Sequence, residues 1–311
     1  MYSYNPDRKE LSEVKLLSLE PWRLFPKGDL DRFVPKPPAN LPKLTKQSRI
    51  ASIGSCFARE IKNWLEVNGY NYLSFAEGPC SRHGSARYER VYNTYTLKQE
   101  FMRALGQFSP SEKYWEFKDR DEKIHLLDPH RKNVAWESEY ERKKESAEHA
   151  DNCRKAFSEP ELLVVTVGQA EIWYNKKDGY VYPLVPPPEV YNEQMHGFRL
   201  TTYEENIQNL QYVVDAFTKL NPNGHILITL SPVPLRATFR DLDSVIANSS
   251  SKAILRAAVD NIVTNNINNV IYFPAYEVVT QLEISPFKED NRHVRPEVVE
   301  RIMKMFEYWF I

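Results

Sequence analysis

No apolar stretch of about 18 residues occurs anywhere in the chain, so no segment is expected to cross a membrane as a helix. Cysteine is scarce. Cys56, Cys80 and Cys153 are odd in number and widely spaced, and form no CxxC or Cys/His metal pattern. The opening residues Met1–Leu17 carry Asp7, Arg8, Lys9, Glu10, Glu13 and Lys15 and lack the apolar core of a signal peptide. Reduced thiols in a cytoplasmic protein are therefore expected. Neither sign of charge dominates: 41 basic residues stand against 42 acidic ones, with no long block of either. Bulk charge thus implies no nucleic-acid or other polyanionic partner and leaves open only a local basic cleft. Among the seven histidines no two stand at i,i+4 or in an HxH pattern, so neither a metal nor a required cofactor is expected.

What is present is ample core material. Hydrophobic residues make up 42% of 311, including 18 Tyr, 15 Phe and 6 Trp, which suits one large domain or a domain with an extra lobe. Residues 1–47 read as a proline-rich arm that packs down through Trp22, Leu24, Phe25 and Phe33. The domain proper spans 48–311. A strand over Ile50–Ile53 runs into Gly54, and Phe57, Ile61, Trp64 and Leu65 then recur at helical spacing until Asn68-Gly69. Tyr70–Phe75 reads as a second strand, completing a unit of a parallel sheet.

The stretch 76–160 reads as an inserted lobe or cap. It has a helix marked by Leu97, Phe101 and Leu105, a β-ribbon over Trp115–Leu127, and a charged, solvent-facing helix over Glu137–Phe157. Buried strands follow at Leu162–Val167, Ile226–Leu230 and Val270–Phe273, with helices at 203–220 and 250–267 between them. A last helix starts at Pro296. The sum is an α/β fold, a three-layer sandwich with a doubly wound, mainly parallel sheet. Its ligands should bind at the carboxyl ends of the strands.

Two nucleophiles, Ser55 and Cys56, stand at the carboxyl end of the first strand, where the next helix offers unpaired N–H groups and a positive dipole end. Such a position should lower the pKa of a cysteine. The plainer reading makes Ser55 a helix cap and Cys56 a small buried residue. At the other end of the chain, Asp290-Asn291-Arg292-His293 places a carboxylate three residues before a histidine, a spacing that can fix the ring's tautomer while its other nitrogen faces a nucleophile.

With these two features the sequence resembles the GSCFA family, named for the pentapeptide standing here at Gly54–Ala58, within the wider SGNH/GDSL-like group of hydrolases and acyltransferases. The likeness extends over most of 49–306. It runs through Arg87-Tyr88, Tyr92-Asn93-Thr94, Thr166–Trp173, Asp178–Leu184, Ser231–Leu235, Ser251-Lys252 and Tyr272–Glu277 to Asp290–His293. It implies an SGNH-type three-layer fold. The group's serine nucleophile lies two residues after the first-block glycine, which puts that role on Cys56, with His293 as general base, Asp290 as its orienter and Ser55 as rival. The third-block Gly-x-Asn-Asp reads Gly168-Gln169-Ala170-Glu171. With the asparagine missing, Gln169 or the amides of Gly168 and Cys56 must form the oxyanion hole, and one lost donor costs about 3 kcal/mol. Gly78 and Gly84 are left as candidates for the second-block glycine.

Further candidates have two readings each. Glu171 with Trp173 offers a sugar an acceptor and a platform, or Glu171 is a structural ion-pair partner. Ser231 to Arg236 reaches the cleft, or is a proline-stiffened turn. Lys252 and Arg256 receive a phosphate or carboxylate, or lie on a solvated face. The activity so implied is an esterase or O-acyltransferase working through an acyl-enzyme on a small-molecule or carbohydrate substrate, with acyl-coenzyme A as one donor. The alternative is an inactive protein that binds a glycan or nucleotide-linked ligand. The sequence leaves the oligomeric state open.

Overall fold

The computed structural model describes residues 28–39, 41–76, 84–119, 121–266 and 268–311. Two compact units divide between Phe33 and Val34, inside the arm expected over 1–47. Trp22, Leu24, Phe25, Gly78 and Cys80 lie outside the described residues. Every element named below belongs to the second unit.

In chain order the first elements are β1 (Ile50–Gly54), α1 (Cys56–Val67), α2 (Thr94–Ala104), β2 (Trp115–Lys118), β3 (Ile124–Leu127), β4 (Ala135–Trp136) and α3 (Glu139–Ser158). There follow β5 (Leu162–Val167), β6 (Glu171–Asn175), β7 (Val181–Tyr182), β8 (His196–Leu200), α4 (Tyr203–Leu220) and β9 (His225–Leu230). The last are α5 (Ser244–Asn265), β10 (Val270–Tyr272), a short α6 (Ala275–Glu277) continued by a π turn (Val278–Leu282), and α7 (Pro296–Phe310).

The centre is a parallel sheet in the order β1-β5-β9-β10. β1 and β5 are buried at every residue, as continuous apolar runs covered on both faces must be. Alternation sorts their side chains. Ala51, Ile53, Leu163, Val165, Val167, Ile226 and Ile228 pack with apolar residues of α2, α3, α4 and α5 in one core. Ile50, Leu162 and Val164 point the other way, toward the layer of α1 and α7. The fold is therefore α/β, with helices flanking a mainly parallel sheet, as expected.

Of the stretch 76–160, α2 and α3 belong to that main core through Leu97, Phe101, Cys153, Ala156 and Phe157. β2, β3 and β4 form a separate antiparallel sheet. α3 corrects the solvent-facing expectation, since its His149, Cys153, Ala156 and Phe157 are buried. The strand expected over Tyr70–Phe75 shrinks to one parallel bridge, Ile50 to Tyr72. The cause is competition for the edge of β1: beyond Leu73 the carbonyl of Ser52 accepts from the Ser85 amide instead, at 2.9 Å. With that bridge the order becomes that of a doubly wound sheet whose direction reverses between β1 and β5, where such folds place their ligands.

α1 and α7 run side by side in register. Trp64 Nε1 donates to Glu300 at 2.5 Å and the Tyr70 hydroxyl to Glu307 at 2.8 Å. Phe57, Ile61 and Leu65 of α1 are at most 2% exposed, each stabilising the layer by roughly 1.5–3 kcal/mol. This pairing carries the loop ahead of α7 to the N-terminus of α1.

Candidate active site

Ser55 ends the elbow as the N-cap of α1. Its hydroxyl accepts from the Phe57 amide at 3.3 Å and meets Thr166 Oγ1 at 3.1 Å, while its own amide donates to Thr166 Oγ1 at 2.8 Å. It is 2% exposed. Cys56, the first helical residue, is partly exposed and lines a cavity of about 460 Å³ together with Ser55, Tyr92, Gly168, Gln169, Ser231 and His293.

Asp290 and His293 sit in a tight loop closed by the Phe287–Val294 bridge, with Asn291 in the left-handed region at φ 54°, a conformation asparagine tolerates. One carboxylate oxygen of Asp290 accepts from the amides of Arg292 (3.1 Å) and His293 (3.0 Å); the other binds His293 Nδ1. These bonds hold the Asp290 carboxyl far below the usual carboxylate range, the imidazole contributing most. His293 is thereby left with Nε2 as its working nitrogen. Among the described residues no hydrogen bond joins His293 to Cys56, although both line the same cavity.

The expectation of a lowered cysteine pKa is corrected. Burial pushes the Cys56 thiol up, and the opposing pull of Arg59, Arg292 and Arg90 does not cancel it. The resting sulfur is a thiol and needs a base to attack.

The oxyanion candidates divide. The amides of Gly168 and Gln169 both donate to the Tyr92 carbonyl, at 2.9 and 3.0 Å. The Gly168 amide is therefore committed, a correction to its expected role. What remains is the Cys56 amide, which has no acceptor within its own helix, and the Gln169 side chain, which makes no hydrogen bond among the described residues and lines the cavity. Gly84 abuts the Ser52 carbonyl instead of the cavity.

Ser231 and Arg236 line the cavity as expected. Four other candidates do not. Glu171 is 8% exposed, accepts from Thr238 Oγ1 with both oxygens at 2.9 Å, and lies 3.8 Å from Arg240. Trp173 packs among Tyr191, Phe198 and Phe239. Both belong to β6, which leaves the site to pair with β7 and β8. Arg256 is spent on Glu277 and Asp260, at 2.8 and 3.0 Å.

Lys252 is 2% exposed, and its ammonium donates to the carbonyls of Gly168 (2.9 Å), Ser231 (2.7 Å) and Val233 (3.0 Å). It is a strut beneath the site. Lys252→Met strands three carbonyls, two of them in buried contacts, and is expected to cost about 3 kcal/mol in urea denaturation. A cost under about 1 kcal/mol contradicts the strut. Burial pulls the Lys252 pKa from 10.5 to about 7. The folded state then binds fewer protons than the unfolded chain between those values, so wild-type stability gains from this residue as pH rises across them, and the variant loses that slope.

Sequence reading gave no site role to Arg59, Arg90, Tyr92, Lys132 and Arg292 of the cavity wall; of these, Tyr92 and Arg292 lay in recognised motifs. It also missed a buried group. Glu100, His149 and Cys153 bring three metal-ligand atoms within 4.8 Å of one another, a set that a test for histidine pairs cannot see. Arg103 stands 3.5 Å from Glu100, and burial with Arg131 nearby pushes His149 down to about 4. The group is satisfied as a hydrogen-bonded core network beside two guanidiniums.

A comparison with curated proteins gave no match. The GSCFA family profile matches residues 49–306, a span holding the elbow, the cavity wall and the Asp290–His293 loop, and the chain belongs to the GSCFA family.

Proposed function

We propose that the chain hydrolyses or transfers acyl groups through a thioester on Cys56. One observation carries the reading: a partly exposed thiol at a helix N-terminus and a carboxylate-held imidazole face one cavity. His293 Nε2 takes the Cys56 proton as Sγ bonds to the carbonyl carbon of an ester or thioester. The tetrahedral oxyanion is met by the Cys56 amide and the Gln169 side chain. The bond to the leaving alcohol or thiol then breaks, and that group leaves with the proton from His293. Water or an acceptor hydroxyl next gives its proton to His293, attacks the thioester and releases the Cys56 thiol. A thioester is a good donor to alcohols, which favours transfer. Resemblance to enzymes of cell-surface polysaccharides favours a carbohydrate acceptor, and acyl-coenzyme A suits the donor role.

The missing asparagine favours a second reading, a protein that binds a glycan or nucleotide-linked ligand without turnover. Activated esters separate the two. The enzymatic reading expects a burst of one leaving group per chain; no burst and no turnover across a panel of acyl donors leaves the binding protein.

A further inference from the structure

The cavity wall carries Arg59, Arg90, Lys132, Arg236 and Arg292, and no Asp or Glu lines it among the described residues. These cations come from separate elements. Arg59 is on α1, Arg90 on the segment that crosses the end of β1, Lys132 on the loop after β3, Arg236 on the loop after β9, and Arg292 in the Asp290–His293 loop. Like charges gathered at a low-dielectric surface repel unless something answers them.

The available carboxylates do so only in part. Arg59 reaches Glu60 at 3.0 Å, and Glu60 lines the adjoining cavity of about 250 Å³. Glu89, buried beside this wall, acts on both Arg90 and Lys132. Burial and the neighbouring Arg90 and Arg236 nonetheless push the Lys132 ammonium down. The Nε atoms of Arg90 and Arg292 are buried without a hydrogen-bond partner, and Arg236 makes no ion pair among the described residues.

The catalytic sulfur does not account for the whole set. Arg59, Arg90 and Arg292 are the cations that act most on Cys56, while Lys132 and Arg236 extend the same wall beyond them. Lys132 is also built in. Its neighbour Arg131 is fully buried and clamped by Asp128 (2.7 Å) and Glu145 (2.9 Å), which fixes the loop that presents Lys132. Neutral sugar hydroxyls need no such wall, and one carboxylate would answer only one of its charges.

We infer that the site takes a phosphate-bearing substrate, its phosphate or pyrophosphate group seated among Arg90, Lys132 and Arg236 with the reacting group directed at Cys56. The inference deepens the function proposed above and rests on it for Cys56 as the reacting end. Guanidinium forks suit phosphate oxygens. The phosphates can belong to the acyl donor, as in a coenzyme A thioester, or to the acceptor, as in a nucleotide-linked sugar.

The test is calorimetric titration of the full chain with inorganic pyrophosphate, coenzyme A and uridine diphosphate at low and high salt. Pyrophosphate is expected to bind, more weakly as salt screens the wall. Lys132→Ala and Arg236→Ala should each weaken it about tenfold, with thermal midpoints not lowered, because neither side chain is buried in the core and each loss relieves repulsion in the wall. Tighter binding of coenzyme A assigns the phosphates to the donor, and tighter uridine diphosphate to the acceptor. No binding of any of the three, or affinity unmoved in both variants, overturns the inference. Acylation of Cys56 without phosphate binding sinks this inference alone, whereas phosphate binding without acylation sinks the acyl chemistry alone.

Discussion

Cys56→Ala lowers acyl transfer from an activated ester by about 10⁴-fold or more, the scale on which enzymes lose activity with their nucleophile. Ser55→Ala keeps the burst and loses about 1 kcal/mol of stability, the usual cost of an N-cap. The contrast follows from what each side chain touches. The Ser55 hydroxyl is occupied by the Phe57 amide and Thr166 Oγ1 inside the elbow, and the residue is 2% exposed. Cys56 opens onto the cavity shared with His293. Its raised thiol pKa makes the imidazole necessary, so His293→Ala should fall nearly as far as Cys56→Ala, the two acting as one unit. Burst kinetics and denaturation of the same three variants read both quantities. An inactive Ser55→Ala beside an active Cys56→Ala reverses the assignment.

Gly54→Ala is expected to cost more than about 4 kcal/mol or to prevent folding, the range of severe backbone and packing defects. Gly54 lies at φ 151°, where side chains are strained, and an added Cβ would stand 2.2 Å from Thr166 Oγ1, 2.5 Å from its carbonyl oxygen and 2.9 Å from its amide nitrogen. The hydroxyl can be removed, but the backbone atoms cannot. Adding Thr166→Ala should therefore fail to rescue the variant. Gly179→Ala is the control: at φ 77° its Cβ meets nothing within 4 Å, so only the strain of about 1–2 kcal/mol remains. Equal losses in urea denaturation for the two glycines would contradict the steric account. The same crowding explains why the elbow begins with glycine, since β1 must approach β5 closely for Ser55 to reach Thr166.

Much of this was legible in the residues. The apolar runs 162–167 and 226–230 could only be buried parallel strands, and the spacing of Phe57, Ile61 and Leu65 marked a helix beginning at the elbow. α5 starts at Ser244, ahead of the expected 250, because Asp243 caps it; the serines and asparagine of its first turns hide the helical period. α3 read as solvent-facing because its buried face is partly polar, with His149 and Cys153 bonding to Glu100 of α2. Pattern alone cannot distinguish a satisfied core histidine from an exposed one.

The residues proposed to react stood out because a nucleophile after a first strand and a carboxylate three residues before a histidine are local patterns, and the fold brings Cys56 and His293 to one cavity. The cavity wall did not stand out. Arg90, Lys132 and Arg59 carry no spacing that unites them, and only the tertiary fold brings them to one face. The expected anion site on Lys252 and Arg256 failed for the converse reason. Their one-turn spacing was real, but three carbonyls hold the first and two carboxylates the second. The anion site proposed above lies on other cations, in the local basic cleft that a near-zero net charge left open.

Mass spectrometry of the intact protein after brief mixing with an activated acyl ester, followed by peptide mapping, tests the central claim most directly. The expected result is one acyl group on the peptide spanning Gly54–Ala58, located on Cys56, released by hydroxylamine and absent from Cys56→Ala and His293→Ala. An unmodified elbow in a folded wild-type chain, or an acyl group located on Ser55, contradicts it.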